Sequence, residues 1–337
     1  MLFDWLVSAE HLLVSWNAFK RGKEGKRDVQ AFACDLEENL LGLRDDLASG
    51  AYAHGGYVEF SVTDPKLRHI HKPSVRDRVV HHALTGFLTE LYEPRFISDS
   101  YSSRKGKGTH AAVRRLHELC WRESLHDARP VWVLKCDVRR FFDSVDHAVL
   151  LAILGRRIRC PRTLALLEGV VSSFETAPGK GIPLGNLTSQ VFSNIYLDRL
   201  DQFVKRELRV PCYLRYADDF ALVSRDREYL VRALSGIRAY LEGELGLGLH
   251  ERKITFRRWR QGVDFLGYVD FPHYALLRNR TRRRIVGKAA GRALLAREGV
   301  IGQEELDASL ESYFGMLRHC RGDGVFRELD EALYALR

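Results

Sequence analysis

The stretch CYLRYADDFALVSR, residues 212–225, constrains the fold more than any other. Cys212, Leu214 and Tyr216 alternate with Tyr213, Arg215 and Ala217, and Phe220 to Val223 form a continuous apolar run. Two strands flanking a short Ala-Asp-Asp link make a β-hairpin, and aspartate tolerates the backbone angles that tight turns need. The hairpin demands a sheet. It also sets two adjacent carboxylates, Asp218 and Asp219, between strands. Taken alone, the pair has two readings: a solvated polar turn or a cation-binding tip.

A second carboxylate bears on that choice. PVWVLKCDVRRFFDSV (130–145) reads as an apolar, β-branched strand ending near Asp137, too apolar to be an edge. An aspartate there is costly unless it is paired or holds a cation. It could cap the following helix, but Asp143 and Ser144 are the better cap candidates. If the two strands are neighbours, Asp137 and Asp218 can share two Mg²⁺ ions. Hard divalent ions take carboxylate oxygens together with substrate phosphates, and two of them activate an attacking hydroxyl and neutralise a leaving pyrophosphate.

The rest of the chain alternates in type. Residues 1–50 are helical in period, broken by KRGKEGKR at 20–27. Residues 50–73 switch to short strands with an Asp-Pro turn. Ser74 then caps a helix with a stripe of Val75, Val79, His82 or Ala83, and Phe87. A basic glycine loop and a helix precede the Asp137 strand, and a helix follows it to about Gly155. A glycine-rich loop near 179–186 opens a long helix before the hairpin. Another helix, two strand segments and about 60 helical residues complete the order. Strands spread among helices favour an α+β chain with an antiparallel sheet over a doubly wound parallel one. Lys and Arg exceed Asp and Glu by 53 to 44, a formal charge of +9, which suits a polyanionic partner such as nucleic acid. No apolar run approaches the roughly 20 residues that span a bilayer. The amphipathic N-terminus does not read as a signal peptide. Six scattered cysteines without a C-x-x-C pair read as small buried residues in a reducing cytoplasm.

At this point the motifs carry a resemblance. YADD between two strands resembles the signature of reverse transcriptases, and KCDVRRFFDSV is similar to their other aspartate motif. DPKLRHIHKPSVRDRVVHHAL resembles the fingers segment, SYSSRKGKGTHAA the basic template-contact loop, and GIPLGNLTSQVFSNIYLDRLD the glycine-rich loop and helix. HERKITF and DFLGY resemble the lysine motif and the primer-grip hairpin, all in the family's order. The resemblance implies a right-hand polymerase. Residues 1–130 would be an N-terminal extension and fingers with part of the palm. Residues 131–275 would be the palm, with a fingers element near 155–185, and 276–337 a short helical thumb. It implies Asp137 and Asp218 as metal ligands, the Val138 carbonyl as a third, and Asp219 as the hairpin's second carboxylate, nearer the primer end. Lys253 would protonate the leaving pyrophosphate. Phe142 would pack under the sugar and leave no room for a 2′-OH. Arg68, with Lys66, would hold the triphosphate, as an arginine fork suits phosphate oxygens. Arg104, Lys105 and Lys107 would touch the template backbone, and Gly267 would belong to the primer grip. The run RNRTRRR would open a thumb that grips the duplex with a salt-sensitive affinity.

One departure narrows the subfamily. Intron-type and retroviral-type enzymes usually carry Gln-Gly and then Ser-Pro in the glycine-rich loop and helix. Here Leu184-Gly185 and Ser189-Gln190 stand at the matching positions. IPLGNLTSQ resembles the reverse transcriptases of diversity-generating retroelements, which misincorporate opposite template adenines. A leucine contributes only shape where an amide would position base or sugar through hydrogen bonds. Leu184 and Gln190 would then face the nucleotide. The resemblance implies two Mg²⁺ ions, with Mn²⁺ as a substitute. It further implies a template RNA, a DNA or RNA primer, dNTPs, a cDNA product and a basic oligomeric accessory protein. The enzyme would be cytoplasmic, encoded by a bacterium, archaeon or phage, with no membrane contact. The rivals are a retron, intron or antiviral-defence reverse transcriptase, and, in another class, a catalytically inactive RNA-binding palm scaffold.

Overall fold

Four helices open the chain: α1 (Leu2–Leu6), α2 (Ala9–Lys20), α3 (Arg27–Cys34) and α4 (Leu36–Ser49). The computed structural model describes residues 2–63 and 67–334. The expected helical block is present, interrupted at the basic 20–27 stretch. Strands β1 (Tyr57–Val62) and β2 (Arg68–Pro73) pair antiparallel as a two-stranded ribbon. The Asp-Pro turn and Lys66 lie outside the described residues. Helix α5 (Val75–Tyr92) begins as expected, with Ser74 Oγ accepting the Asp77 N–H at 3.1 Å. Val75, Val79, Ala83 and Phe87 are buried along its stripe. Helix α6 (Thr109–Glu123) follows the glycine loop.

Strand β3 (Trp132–Asp137) is interior, as its apolar run requires. The sheet has the order β4 (Tyr213–Tyr216), β5 (Asp219–Ser224), β3, β6 (Thr255–Arg258), all antiparallel. Between β3 and β4 lie α7 (Phe141–Ser144), α8 (His147–Gly155), α9 (Pro161–Val171) and α10 (Leu187–Gln202). The helix expected after β3 is thus two helices. The cap is also corrected. Asp146, not Asp143 or Ser144, accepts the Val149 N–H at 3.1 Å, because the chain re-enters helix only after Val145 and Asp146. Helix α11 (Arg227–Glu244) covers the sheet between β5 and β6. A separate antiparallel sheet of β7 (Val263–Phe265), β8 (Tyr268–Phe271) and β9 (Tyr274–Leu277) precedes α12 (Asn279–Arg297), α13 (Gln303–Leu317) and α14 (Asp323–Tyr334).

Two hydrophobic clusters sandwich the four-stranded sheet. Leu134, Cys136, Phe220 and Leu222 join the larger, built on α2, α5, α8, α10 and α11. Val133, Ala221 and Val223 join the smaller, built on α6, β7, β8 and the last three helices. The alternation along β3 decides which cluster each residue meets. Asp137 shares its face with Lys135 and Val133, so it stands at the end of the smaller cluster's face. The cysteines are free, but only Cys120, Cys136 and Cys212 are buried. Cys34 is exposed, so burial explains half of them.

Candidate active site

The hairpin is tighter than its sequence suggests. Tyr216 pairs with Asp219, so Ala217 and Asp218 alone make the turn and Asp219 is the first residue of β5. The expected three-residue link is corrected to two. Ala217 has φ +52°, in the first central position of a hairpin turn, where glycine is favoured. The Asp218 carbonyl accepts the Val138 N–H at 3.1 Å, which ties the turn to the end of β3.

This register sets Asp137 directly opposite Asp219, with Asp218 beside them in the turn. Burial, then the charges of Asp219 and Asp137, push Asp218 up to about 6. Burial also raises Asp219, against the pull of Lys135 and with a further push from Asp137. Two ammonium groups answer these charges. Lys253 Nζ donates to Asp137 Oδ2 at 2.6 Å, and Lys135 Nζ lies 3.7 Å from Asp219 Oδ1. Lys253 ends a short helical turn anchored by the His250 N–H donating to the Asp137 carbonyl at 2.8 Å.

An all-oxygen donor set that repels itself suits a hard divalent cation. Among the described residues no group of three or more His, Cys, Asp or Glu side chains is arranged as a ready-made metal cage. The two facts agree, because Mg²⁺ is commonly held by one or two carboxylates plus substrate phosphates. An open cleft of about 810 Å³ is lined by Arg139, Arg140, Asp143, Thr176 and His250 among others, and none of Asp137, Asp218 and Asp219 is part of its lining.

Other expected site residues divide. Phe141 is buried in the core while Phe142 is half-buried, so Phe142 is the ring of the pair that reaches the surface. The Phe142 carbonyl accepts the Ile182 N–H at 2.8 Å and binds α7 to the glycine-rich loop. That loop meets the β1–β2 ribbon: the Leu184 carbonyl accepts the His71 N–H at 3.3 Å. Gly185 has φ +101°, and a Cβ there would come within 2.7 Å of Ile70 Cγ2. Leu184 is half-buried, and Gln190 is exposed on α10. Arg68 is exposed and, two residues from Ile70, shares its face of the ribbon. Leu266 and Gly267, with φ +50° and +93°, form the two-residue turn between β7 and β8. Both signs favour the mirror-image hairpin turn.

The basic loop departs from expectation. Arg104 turns inward, donating to Glu93 at 2.9 Å and to the Ile97 and Ser100 carbonyls at 2.7 and 2.9 Å. Its side chain is 6% exposed, so its donors hold the loop rather than a template. Lys107 donates to the Ser98 carbonyl at 2.8 Å. Lys105 is the exposed member of the three.

The sequence reading missed the buried support under the hairpin. Arg215, fully buried in β4, clasps Asp201 of α10 through Nε at 2.8 Å and Nη2 at 2.6 Å. It also donates to the Ala217 carbonyl at 3.1 Å and to Asn194 Oδ1 at 3.3 Å. Tyr213 donates to Asp201 at 2.6 Å. A charge inside an apolar strand was the available signal, the same one that singles out Asp137.

The pattern for reverse transcriptase (RNA-dependent DNA polymerase) matches residues 63–270. Protein YkfC of Escherichia coli strain K12 is 29% identical over 322 residues, covering 83% of this chain and 82% of that protein. The group II intron-encoded protein LtrA of Lactococcus lactis subsp. cremoris is 22% identical over 271 residues. That match covers 60% of this chain and only 44% of LtrA. Among solved structures, apo telomerase of Candida tropicalis superposes with a TM-score of 0.52 at 10% identity. It covers 83% of this chain and 60% of the telomerase chain, a likeness of fold.

Proposed function

The chain belongs to the reverse transcriptase family and is an RNA-directed DNA polymerase, and from that premise we propose how its residues divide the work. Asp137, Asp218 and Asp219 hold two divalent cations, Mg²⁺ or Mn²⁺, with the Val138 carbonyl as a further ligand. The cross-strand register of Asp137 and Asp219 carries this reading. When bound, the ions supply charge neutralisation and activation of the primer hydroxyl. Lys253, now on Asp137, turns to the leaving pyrophosphate and protonates it. Arg68 and Lys66 hold the triphosphate, Phe142 excludes a 2′-OH, and the turn at Gly267 supports the primer end. Lys105 serves the template in place of Arg104. Residues 1–130 act as N-terminal extension and fingers with part of the palm, 131–275 as palm with a fingers element near 155–185, and 276–337 as thumb. Among the described residues no helix is long and apolar enough to cross a membrane, and a basic accessory protein completes the working complex.

The finer proposal concerns fidelity. The loop that docks the β1–β2 ribbon presents Leu184 where an amide would select through hydrogen bonds, so copying is error-prone at template adenine, as in a diversity-generating retroelement. The likeness to LtrA favours a second reading, an intron-type enzyme of ordinary fidelity. Sequencing cDNA made by the wild type and by Leu184→Gln separates the two. We expect errors concentrated opposite adenine and reduced by the substitution. Uniform low error at all four template bases would leave the intron-type reading.

A further inference from the structure

The far end of β3 from Asp137 carries a different chemistry. Trp132 stands opposite Ser224 on one side and Arg258 on the other. The Arg258 guanidinium lies 5.0 Å from the Trp132 ring, and that of Arg227, the first residue of α11, lies 5.6 Å from it. Arg227 is also 5.3 Å from the Phe256 ring. A guanidinium resting on a ring keeps its N–H fork turned outward and loses little freedom when a phosphate binds. Arg258 also lines a cavity of about 210 Å³, together with Arg129, Arg260, Asp127, Val131 and Trp259. Asp127 is taken by Arg260 at 2.8 Å, and Arg227 lies 3.4 Å from Glu228. Arg129, Arg257 and Arg258 meet no carboxylate among the described residues.

Exposed arginines on an edge strand deter the addition of a further strand, and β6 is such an edge. That accounts for Arg257 and Arg258. It does not account for Arg227, which comes from a helix to the Trp132 ring, or for Arg129, which comes from a loop to the cavity that Arg258 also lines. Five strand steps separate Trp132 from Asp137, about 17 Å, so the cluster is remote from the joining chemistry. Unpaired nucleotides are recognised by aromatic and guanidinium planes within a basic surface.

We propose that Trp132 with Arg129, Arg227 and Arg258 forms a second RNA site, which holds single-stranded RNA outside the segment being copied. It rests on the template being RNA. Binding is measured without nucleotides or divalent ions, so its failure is distinct from failure of synthesis. The probe is a single-stranded RNA long enough to span both ends of the sheet, and the variant is Arg129→Gln/Arg227→Gln/Arg258→Gln in the full chain. Each lost phosphate contact removes about 0.7 from the slope of log affinity against log salt for single strands. We expect the slope to fall by about 2 and the affinity at low salt at least tenfold, with incorporation on a short template–primer unchanged. Three things would overturn the site. One is an unchanged slope. Another is an equal loss of binding to the short template–primer. The third is an equal loss from a control triple at the exposed Arg21, Lys26 and Arg27.

Discussion

Asp218 is held in a state that costs the protein stability. Its folded value of about 6 lies above the ordinary 3.8, so between about pH 4 and 6 the native state binds a proton that the unfolded chain does not. The sign follows: without divalent ions, this residue's contribution grows as pH falls through 6 and is unfavourable above it. Asp218→Asn therefore raises the thermal midpoint of the metal-free protein at neutral pH by about 2–4 °C, and less at pH 5. The same change abolishes DNA synthesis. A lowered midpoint at neutral pH in calorimetry would contradict the charge argument, and surviving synthesis would contradict the assigned role. Arg215 behaves in the opposite way. Truncating one partner of a buried pair leaves the other charge uncompensated, at about 3–5 kcal/mol. Arg215→Leu therefore costs that much in denaturant unfolding, whereas Arg215→Leu/Asp201→Leu costs less than the single change. The sequence disclosed Asp137 because an acid at the end of an apolar strand has few uses. Arg215 gave the same signal, but its partner Asp201 lies on a helix whose docking no local pattern announces.

At the scale of elements, the antiparallel sheet and the place of β3 inside it were legible from alternation and from an apolar run unsuited to an edge. The exact turn was not: whether Asp219 belongs to link or strand depends on pairing with Tyr216, a tertiary choice. The basic loop misled for a related reason. A run of Arg, Lys and Lys looks solvated, but two carbonyls and Glu93 converge on Arg104 only once the loop is closed. Arg104→Gln should thus lower stability by about 1–3 kcal/mol and leave the salt slope of template binding in place. Loss of slope without loss of stability would restore it as a template contact. The glycine-rich loop makes a sharper case. Gly185→Ala combines a left-handed backbone with a collision against Ile70, so it should displace the β1–β2 ribbon and raise the KM for dNTPs. Ile70→Ala removes the colliding methyl but not the backbone strain, so rescue in the double variant should be partial. Full rescue would show that strain contributes nothing, and no rescue would show that the ribbon does not rest there.

At the scale of the whole molecule, an excess of +9 charges suits a polyanionic partner and does not say where it would bind. The structure sorts the charges by whether the fold already uses them. In α12, Arg282 is bound to Glu328 and Arg292 lies 3.2 Å from Glu305. These two fasten α12 to α14 and α13. Arg280 and Arg283 are exposed, one turn apart on the same face, with no carboxylate partner among the described residues. Arg278 is likewise bound to Asp264, so the basic run that resembles the start of a thumb is partly structural. If the thumb grips a duplex, Arg280 and Arg283 do so, and each contact contributes about 0.9 to the salt slope for a double helix. Arg280→Gln/Arg283→Gln should lower the slope for a template–primer duplex by about 2 while leaving the thermal midpoint within about a degree. Arg282→Gln should lower the midpoint first, because Glu328 loses its partner, and change the slope by less than one contact. Titrations of duplex affinity against salt, paired with thermal scans of the same variants, separate these outcomes. An equal slope change from Arg282 and from the exposed pair would mean that the ion pairs open on binding and that the fold does not reserve its charges in this way.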